Sequence, residues 1–483
     1  MRLNHEHLSN PTRYPIQVIQ FGEGNFLRAF ADWMIHRMNH ELNCQMGVAV
    51  VQPRNSQKVK ELMAQDGLYT LITQGIHQGE LKQETTVIDC LQEGVNTYEN
   101  YDAYLKLAEA PDLKLMISNT TEAGIVYSET DELSDRPQSS FPGKLTALLH
   151  HRFKTFNGDS SKGLLHLPCE LIEENGSKLK EIVLKLAKRW QLEPAFVQWV
   201  EKHNIFYNTL VDRIVPGYPA DEAATLEKEL GYTDPFMVTS EWYHLWVIEG
   251  PDVIKDVFPA DKLGLNVLFV DDLALYRERK VRILNGAHTA MVPVGYLYGL
   301  ETVGETVEND ITGAFVAAVM YEDIAAMVPM PAAEVKAYAD SILDRFRNPF
   351  IRHQLLSISL NSMSKFNTRL MPTLNDYVVK GENLPAKILF SFASLLYFYR
   401  GKRGDEIIPL SDDPHVMEVF SKQWQAWENN EISLEQLVTE VLAMESIWGR
   451  DLNQLKGLAQ GLVSHLKNIT TKPYAEALQE VLK

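Results

Sequence analysis

Cysteine is scarce in this sequence: Cys44, Cys90 and Cys169 are far apart and odd in number. That usage gives no disulfide framework and fits a reducing compartment, and no metal-ligand spacing involves these residues, so no metal site is expected. Any apolar run of about 18 residues, the length a membrane-crossing helix needs, is also missing. The opening MRLNHEHLSNPTRYP lacks the apolar core of a secretory leader. A cytoplasmic protein with no membrane partner is expected. Positive charge is short as well. Lys and Arg number 46 against 64 Asp and Glu, a formal charge of -18, and basic residues gather only in short stretches such as YRGKRGDE. Nucleic acid therefore has little electrostatic support as a partner. Repeats, exposed heptads and low-complexity tracts are absent, which leaves a scaffolding role without a signature.

What is present is the balance of a folded soluble protein, 45% hydrophobic and 23% charged over 483 residues, long enough for two domains. YPIQVIQF reads as a buried strand, NFLRAFADWMIHRMNHEL as a helix and GVAVVQP as a second strand, which together make a βαβ unit. Further strands are predicted at TTVIDC, LKLMISNT, KGLLHLPCEL and LNVLFVDD, with helical stretches between them. That alternation implies a mostly parallel sheet covered on both faces. From about residue 275 long amphipathic patterns take over, among them EDIAAMVPMPAAEVKAYADSILDRF and PAKILFSFASLLYFYRG. The fold expected is α/β plus α: a Rossmann-type dinucleotide-binding domain over 1–274 and a mainly helical substrate and catalytic domain over 275–483. DELSDRPQSSFPGK, rich in Pro, Ser and Asp, reads as a surface loop.

The first strand runs into GEGNFLRAF, with Gly22 and Gly24 at a strand-to-helix turn. In such a turn the first glycine permits the bend, the second lets backbone approach a pyrophosphate, and the helix N-terminus offers N–H groups and partial positive charge. Leu27 stands where a third glycine would be, so the motif is incomplete. The second strand ends VVQPRNS, without the acidic residue that holds the ribose hydroxyls of NAD; Gln52 is a candidate for that bond, and Arg54 for a 2′-phosphate instead. NAD is the favoured cofactor.

KVRILNGAHTA places a lysine, an asparagine and a histidine close together in a run that, Arg282 aside, is apolar or small. On an α-helix Lys280, Asn285 and His288 fall at about 0°, 140° and 80°, one broad face. Hydride transfer without a metal needs a proton donor or acceptor at the alcohol oxygen and a polar group for the developing charge. Lys280 suits the first role, Asn285 the second, and His288 can orient the lysine or a substrate hydroxyl. Gly286 would leave room for a ligand against the helix.

FGEGNFLRAF, LVDRIVPG, KVRILNGAHT and RFRNPFIRHQL, in that order along the chain, resemble landmarks of the polyol-specific long-chain dehydrogenases, the mannitol dehydrogenase family. The resemblance implies a Rossmann-type domain, a helical domain, a cleft between them and metal-independent chemistry, with Lys280 as general acid/base and Asn285 as oxyanion partner. It also implies a cofactor turn formed by Phe21, Gly22, Glu23, Gly24, Asn25 and Phe26, and a substrate contact at Asp212. SNTTEAGI follows a predicted strand and so belongs at the sheet's carboxyl edge, where Asn119, Thr120 and Glu122 would face cofactor or substrate.

Two positions depart from the family pattern. Leu171 stands where mannitol 2-dehydrogenases carry a second oxyanion asparagine, so Asn285 acts alone or another donor such as Asn175 replaces it. Ser357 stands where a polyol-binding arginine is expected. These departures point away from a polyol substrate, and a keto-uronate fits the cations of IRHQLLSISLNSMSKFNTRL: Arg352, His353, Lys365 and Arg369. The expected activity is reversible reduction of a keto-uronate by NADH, with a polyol dehydrogenase or an inactive nucleotide-binding protein as alternatives.

Overall fold

The computed structural model describes residues 1–8, 11–121 and 123–483. The chain divides into two compact units, one formed by Met1–Gln74 with Leu81–Leu273, the other by Gly75–Glu80 with Ala274–Lys483. In chain order the strands of the first half are β1 (Ile16–Phe21), β2 (Gly47–Gln52), β3 (Tyr69–His77), β4 (Glu80–Ile88), β5 (Leu91–Asn96), β6 (Leu115–Ser118), β7 (Leu165–Pro168), β8 (Ile205–Phe206), β9 (Asn208–Asp212), β10 (Val238–Glu241), β11 (Leu245–Glu249) and β12 (Val267–Val270).

The main sheet has the order β5-β2-β1-β6-β7-β8 and every pair in it is parallel. This is the doubly wound arrangement, in which the order reverses beside the first strand and leaves a crevice between β1 and β6 at the carboxyl edge. Side chains alternate between two cores because successive residues of a strand point to opposite faces. Val18, Val48, Val50, Leu115 and Ile117 join one core, while Ile19, Phe21, Ala49, Val51 and Met116 join the other. Both faces are apolar, so helices cover both.

Two predicted strands lie outside this sheet. TTVIDC belongs to β4 of a three-stranded sheet ordered β10-β3-β4, and LNVLFVDD forms β12 of another ordered β12-β11-β9. The helix read as continuous from Asn25 breaks at Phe30 into Asn25–Arg28 and Ala31–Leu42. Nor is the stretch 131–144 a simple surface loop. The buried Asp131 carboxylate accepts hydrogen bonds from the backbone and hydroxyls of Ser139 and Ser140, and the buried Lys144 donates to the carbonyls of Gln138 and Ser139. Polar composition marks a loop, but these groups satisfy one another inside the protein.

The second unit is helical. Ala274–Arg279 runs into a π-helical turn, Lys280–Asn285, and then into Gly286–Tyr298, a nearly all-buried helix that packs on Ala386–Phe398, where Ser391 donates to the Ala290 carbonyl at 2.9 Å. The predicted long helix through MVPMP is instead a π turn at Val319–Ile324, a short 3-10 turn and the helix Ala332–Phe346; Pro331, which lacks an amide hydrogen, sits at its N-cap. Among the described residues no helix is long and apolar enough to cross a membrane.

Candidate active site

In the first unit the turn after β1 carries the candidate cofactor residues. Gly22 has φ +121, a backbone that side chains rarely adopt, and a Cβ there would lie 2.9 Å from the Asn119 carbonyl oxygen. Its amide donates to the Val51 carbonyl at 3.1 Å, and Asn119 donates to the Phe21 carbonyl at 3.1 Å, so the turn after β1 is tied to the end of β2 and the turn after β6 to the end of β1. Gly24 differs. Its φ of -68 and ψ of 162 suit any residue, and a Cβ would meet nothing within 4 Å. Neither strain nor packing within the protein asks for glycine at position 24, whereas a phosphate group resting on the backbone would.

What holds this turn from beneath carries no mark in the local sequence. Arg28, buried, donates to the Glu23 carbonyl at 3.3 Å, to Asn25 Oδ1 at 2.6 Å and to the Phe236 carbonyl, with its guanidinium over the Tyr69 ring at 5.0 Å. Gln20 Nε2 donates to the Gly22 carbonyl at 3.1 Å and to the fully buried Asp32 carboxylate at 3.3 Å. Burial pushes the Asp32 pKa up to about 7, against the opposing pull of Gln20, Arg28 and Tyr69. Phe26 stacks on Phe30 at 4.9 Å, and Phe21 is buried in the core against Phe141. Phe21 therefore reaches a ligand only through its backbone.

Two residues expected at the cofactor have their side chains engaged within the protein. Gln52 is buried, donating to the carbonyls of Arg54 and Ser56 at 2.7 and 2.5 Å while its Oε1 accepts the Val59 amide, so both ends of the amide shape the loop after β2. No group is left on it for a ribose hydroxyl. The Thr120 amide and hydroxyl both donate to Glu170 Oε1, at 2.9 and 2.8 Å, and Ser118 donates to Glu170 Oε2 at 3.0 Å. Glu170, whose pKa burial raises against these bonds, is thus an internal brace of the β6 turn that composition alone did not reveal. Asn119 is half-buried beside it, and Glu122 lies outside the described residues. Asp212 is buried at the end of β9.

These contacts separate two glycines that look alike in sequence. Gly22→Ala is expected to destabilise the protein by about 1–3 kcal/mol through the strained backbone. Gly24→Ala should leave the melting temperature unchanged but weaken dinucleotide binding roughly tenfold or more, the cost of overpacking a contact. Thermal melts and NADH fluorescence titrations of both variants check this.

In the second unit Lys280 and Asn285 are the first and last residues of the π turn, both half-buried. In an α-helix, residues five apart diverge by about 140°. Hydrogen bonding from i to i+5 brings them onto nearly one face, which is the wider turn's effect. His288 follows three residues on, half-buried, its ring 4.5 Å from Phe346 and 5.4 Å, edge to face, from His353. Burial lowers the His353 pKa.

Arg282 turns elsewhere, pairing with Glu278 at 2.7 Å and with Asp376. Gly286 is corrected too: a Cβ there would lie 3.3 to 3.5 Å from Leu370, Ile324 and the Arg369 carbonyl, so the glycine admits neighbouring helices and leaves no ligand space.

The candidate carboxylate clamp is partly assembled. Thr289 Oγ1 donates to the Asn285 carbonyl at 2.9 Å and accepts from Arg369 Nη1 at 3.2 Å. Lys365, one helical turn before Arg369, donates to the Ile358 carbonyl at 2.8 Å; burial and then the Arg369 charge lower its pKa. Arg352 is exposed. Glu305, held below the usual carboxylate range chiefly by the Glu301 amide it accepts, also feels the Arg352 charge, so that guanidinium has an acidic neighbour of its own.

Residues 16–259 match the model of the mannitol dehydrogenase Rossmann domain, and residues 272–470 that of the mannitol dehydrogenase C-terminal domain. The chain belongs to the mannitol dehydrogenase family. Within it, the chain is 47% identical to an altronate oxidoreductase of Yersinia enterocolitica, over 94% of this chain and 95% of that one. It is 45% identical to an altronate oxidoreductase of Bacillus subtilis, over 99% and 98%. The substrate-free crystal structure of a D-sorbitol dehydrogenase has the same fold, with a TM-score of 0.80 at 23% identity, covering 99% of this chain and all of that one. So does Pseudomonas fluorescens mannitol 2-dehydrogenase in its ternary complex with NAD and D-mannitol, with a TM-score of 0.68 at 21% identity over 100% and 99%.

This mannitol dehydrogenase-family chain does not recover its missing second amide from Asn175. That side chain is buried, its Nδ2 donating to the carbonyls of Pro168, Glu170 and Thr209 and its Oδ1 accepting from Gly176 and Thr209. Its hydrogen-bonding capacity is spent on joining β7 to β9. Leu171 itself is exposed.

Proposed function

We propose that this chain is an NAD-dependent altronate oxidoreductase, interconverting D-tagaturonate and D-altronate. The observation that carries the reading is the polar set built on one helix: Lys280 and Asn285 at the two ends of a π turn, with Arg369 joined to the same turn through Thr289. Near full-length identity to altronate oxidoreductases supports the substrate. Gly24, which neither backbone strain nor internal packing explains, supports a dinucleotide at the β1 turn.

In reduction, protonated Lys280 donates to the ketone oxygen as that oxygen gains charge, and the Asn285 amide N–H donates a hydrogen bond to it. Bound nicotinamide supplies the hydride, or takes it in the reverse direction. When altronate is oxidised, the neutral amine of Lys280 accepts the alcohol proton. His288 orients a substrate hydroxyl from its place between Phe346 and His353, and Asp212 contributes a further substrate contact. Lys365 and Arg369 hold the carboxylate, the guanidinium offering paired N–H donors. Arg352, exposed and near Glu305, takes no part in this clamp.

Initial rates of NADH oxidation on D-tagaturonate, D-fructuronate and D-fructose test the assignment, with NADPH run in parallel. The largest kcat/KM is expected for tagaturonate with NADH. Preference for fructose would replace the reading by a polyol dehydrogenase, and tight NADH binding without turnover by a nucleotide-binding protein. A preference for NADPH would instead implicate Arg54, exposed after β2, as a 2′-phosphate partner.

A further inference from the structure

His36 and His40 lie four residues apart on the helix Ala31–Leu42, so they share a face, and their ring centroids are 4.3 Å apart. Both address one carboxylate, that of Asp89, in the short link between β4 and β5. His36 Nδ1 lies 2.7 Å from Asp89 Oδ1 and His40 Nε2 lies 2.9 Å from Oδ2. The three candidate ligand atoms fall within 4.8 Å of one another. Asp89 is buried, His36 half-buried and His40 half-exposed. The link that carries the carboxylate is anchored, since Gln92 Nε2 donates to the Asp89 carbonyl at 3.0 Å while Gln92 Oε1 accepts the Tyr14 amide at 3.3 Å.

We infer that His36, His40 and Asp89 form a binding site for a divalent transition-metal ion of the zinc type. Two imidazole nitrogens and one carboxylate oxygen are the donor set such borderline cations take, and the exposed side at His40 leaves a fourth position to water. Without a cation, satisfying the carboxylate through both rings sets two imidazoles against each other at close range. A divalent ion takes both rings as neutral ligands and keeps the carboxylate charge compensated. The displacement needed is small, because atoms now 2.7 to 2.9 Å apart need only open around an ion with bonds of about 2.0–2.2 Å.

The location assigns the role. The helix Ala31–Leu42 runs back along the sheet, so its last turns lie near the start of β2, and Asp89 lies two residues before the start of β5. The site therefore sits at the amino edge of the parallel strands, opposite the carboxyl edge that holds the Gly22–Gly24 turn. An ion there clamps a covering helix to the link between two sheets. It is structural, and independent of the hydride chemistry proposed above.

The test is calorimetric titration of Zn²⁺ into chelator-stripped full-length protein, for wild type, His40→Ala and His36→Ala, with thermal melts at each metal concentration. One saturable equivalent is expected in wild type, accompanied by a rise in melting temperature. Each variant should bind roughly 100-fold more weakly or worse, since losing a ligand costs more than losing an outer-shell partner. His40, half-exposed, can be removed without emptying a core, and circular dichroism of His40→Ala confirms that it folds. Co²⁺ substitution should give visible d–d bands without thiolate charge transfer, which excludes the cysteines as ligands. Equal zinc affinity in wild type and folded His40→Ala, thiolate bands with Co²⁺, or no saturable binding by wild type up to about 1 mM would each overturn the site.

Discussion

Lys280→Met is expected to lower kcat for tagaturonate reduction by about 10²–10⁴-fold, the range general acid catalysis contributes, while NADH binding stays at the wild-type level. Methionine keeps the length of the side chain and suits a helix, so a half-buried position accepts it without unfolding. What it removes is the proton. Hydride addition to the ketone would then leave an alkoxide that only the Asn285 amide stabilises, and the barrier rises by the lost proton transfer. Asn285→Ala should cost about 10²–10³-fold in kcat, as removal of an oxyanion donor does. In the proposed arrangement the two groups address one oxygen, so the double variant should lose less than the product of the single losses. Turnover of Lys280→Met within a few-fold of wild type, in protein whose melt is unchanged, would falsify the lysine's assigned role and with it the proton path.

Periodicity made the architecture legible because burial on both faces of a parallel sheet leaves apolar strands between amphipathic helices. Where a signal has two physical sources, sequence alone does not separate them. Gln52 and Thr120 are polar residues at a sheet's carboxyl edge, which suits ligand contact, but a polar side chain there can equally brace a turn, as the hydrogen bonds of these two to Arg54, Ser56 and Glu170 do. Gly286 reads in sequence as room for a ligand and in the fold as room for Leu370 and Ile324. The convergence of Lys280 and Asn285 was only half visible, since α-helical spacing spreads them over a broad face and no sequence rule announces a π turn. Arg28, Glu170 and the partners of Arg369 carry no local signature at all; each works through residues distant in sequence. The His-x3-His pair in IHRMNHE was readable at helical spacing, but the carboxylate that completes it comes from Asp89, far along the chain.

Arg369→Met should raise KM for tagaturonate by roughly 10–150-fold, corresponding to the loss of a charge-assisted hydrogen bond of about 1.5–3 kcal/mol, and should change KM for fructose little. The formal charge of -18 repels a uronate at long range, so affinity must come from cations concentrated next to the reacting carbon. In the proposed clamp Lys365 and Arg369 supply those cations, at a cost each reveals: burial lowers the pKa of both, and the Arg369 charge lowers that of Lys365 further. An anionic ligand relieves both effects, which is why it should bind. The sign of the pH dependence follows. A lysine with a lowered pKa loses its proton at a lower pH than an exposed one, so KM for the uronate should climb on the alkaline side before KM for a neutral ketose does. Lys365→Met should remove that climb. Arg369 also touches Thr289, and through it the Asn285 turn, so a purely structural role makes a different prediction: kcat/KM would fall equally for tagaturonate and fructose. Equal losses on the two substrates would therefore end the carboxylate assignment while leaving the lysine chemistry standing.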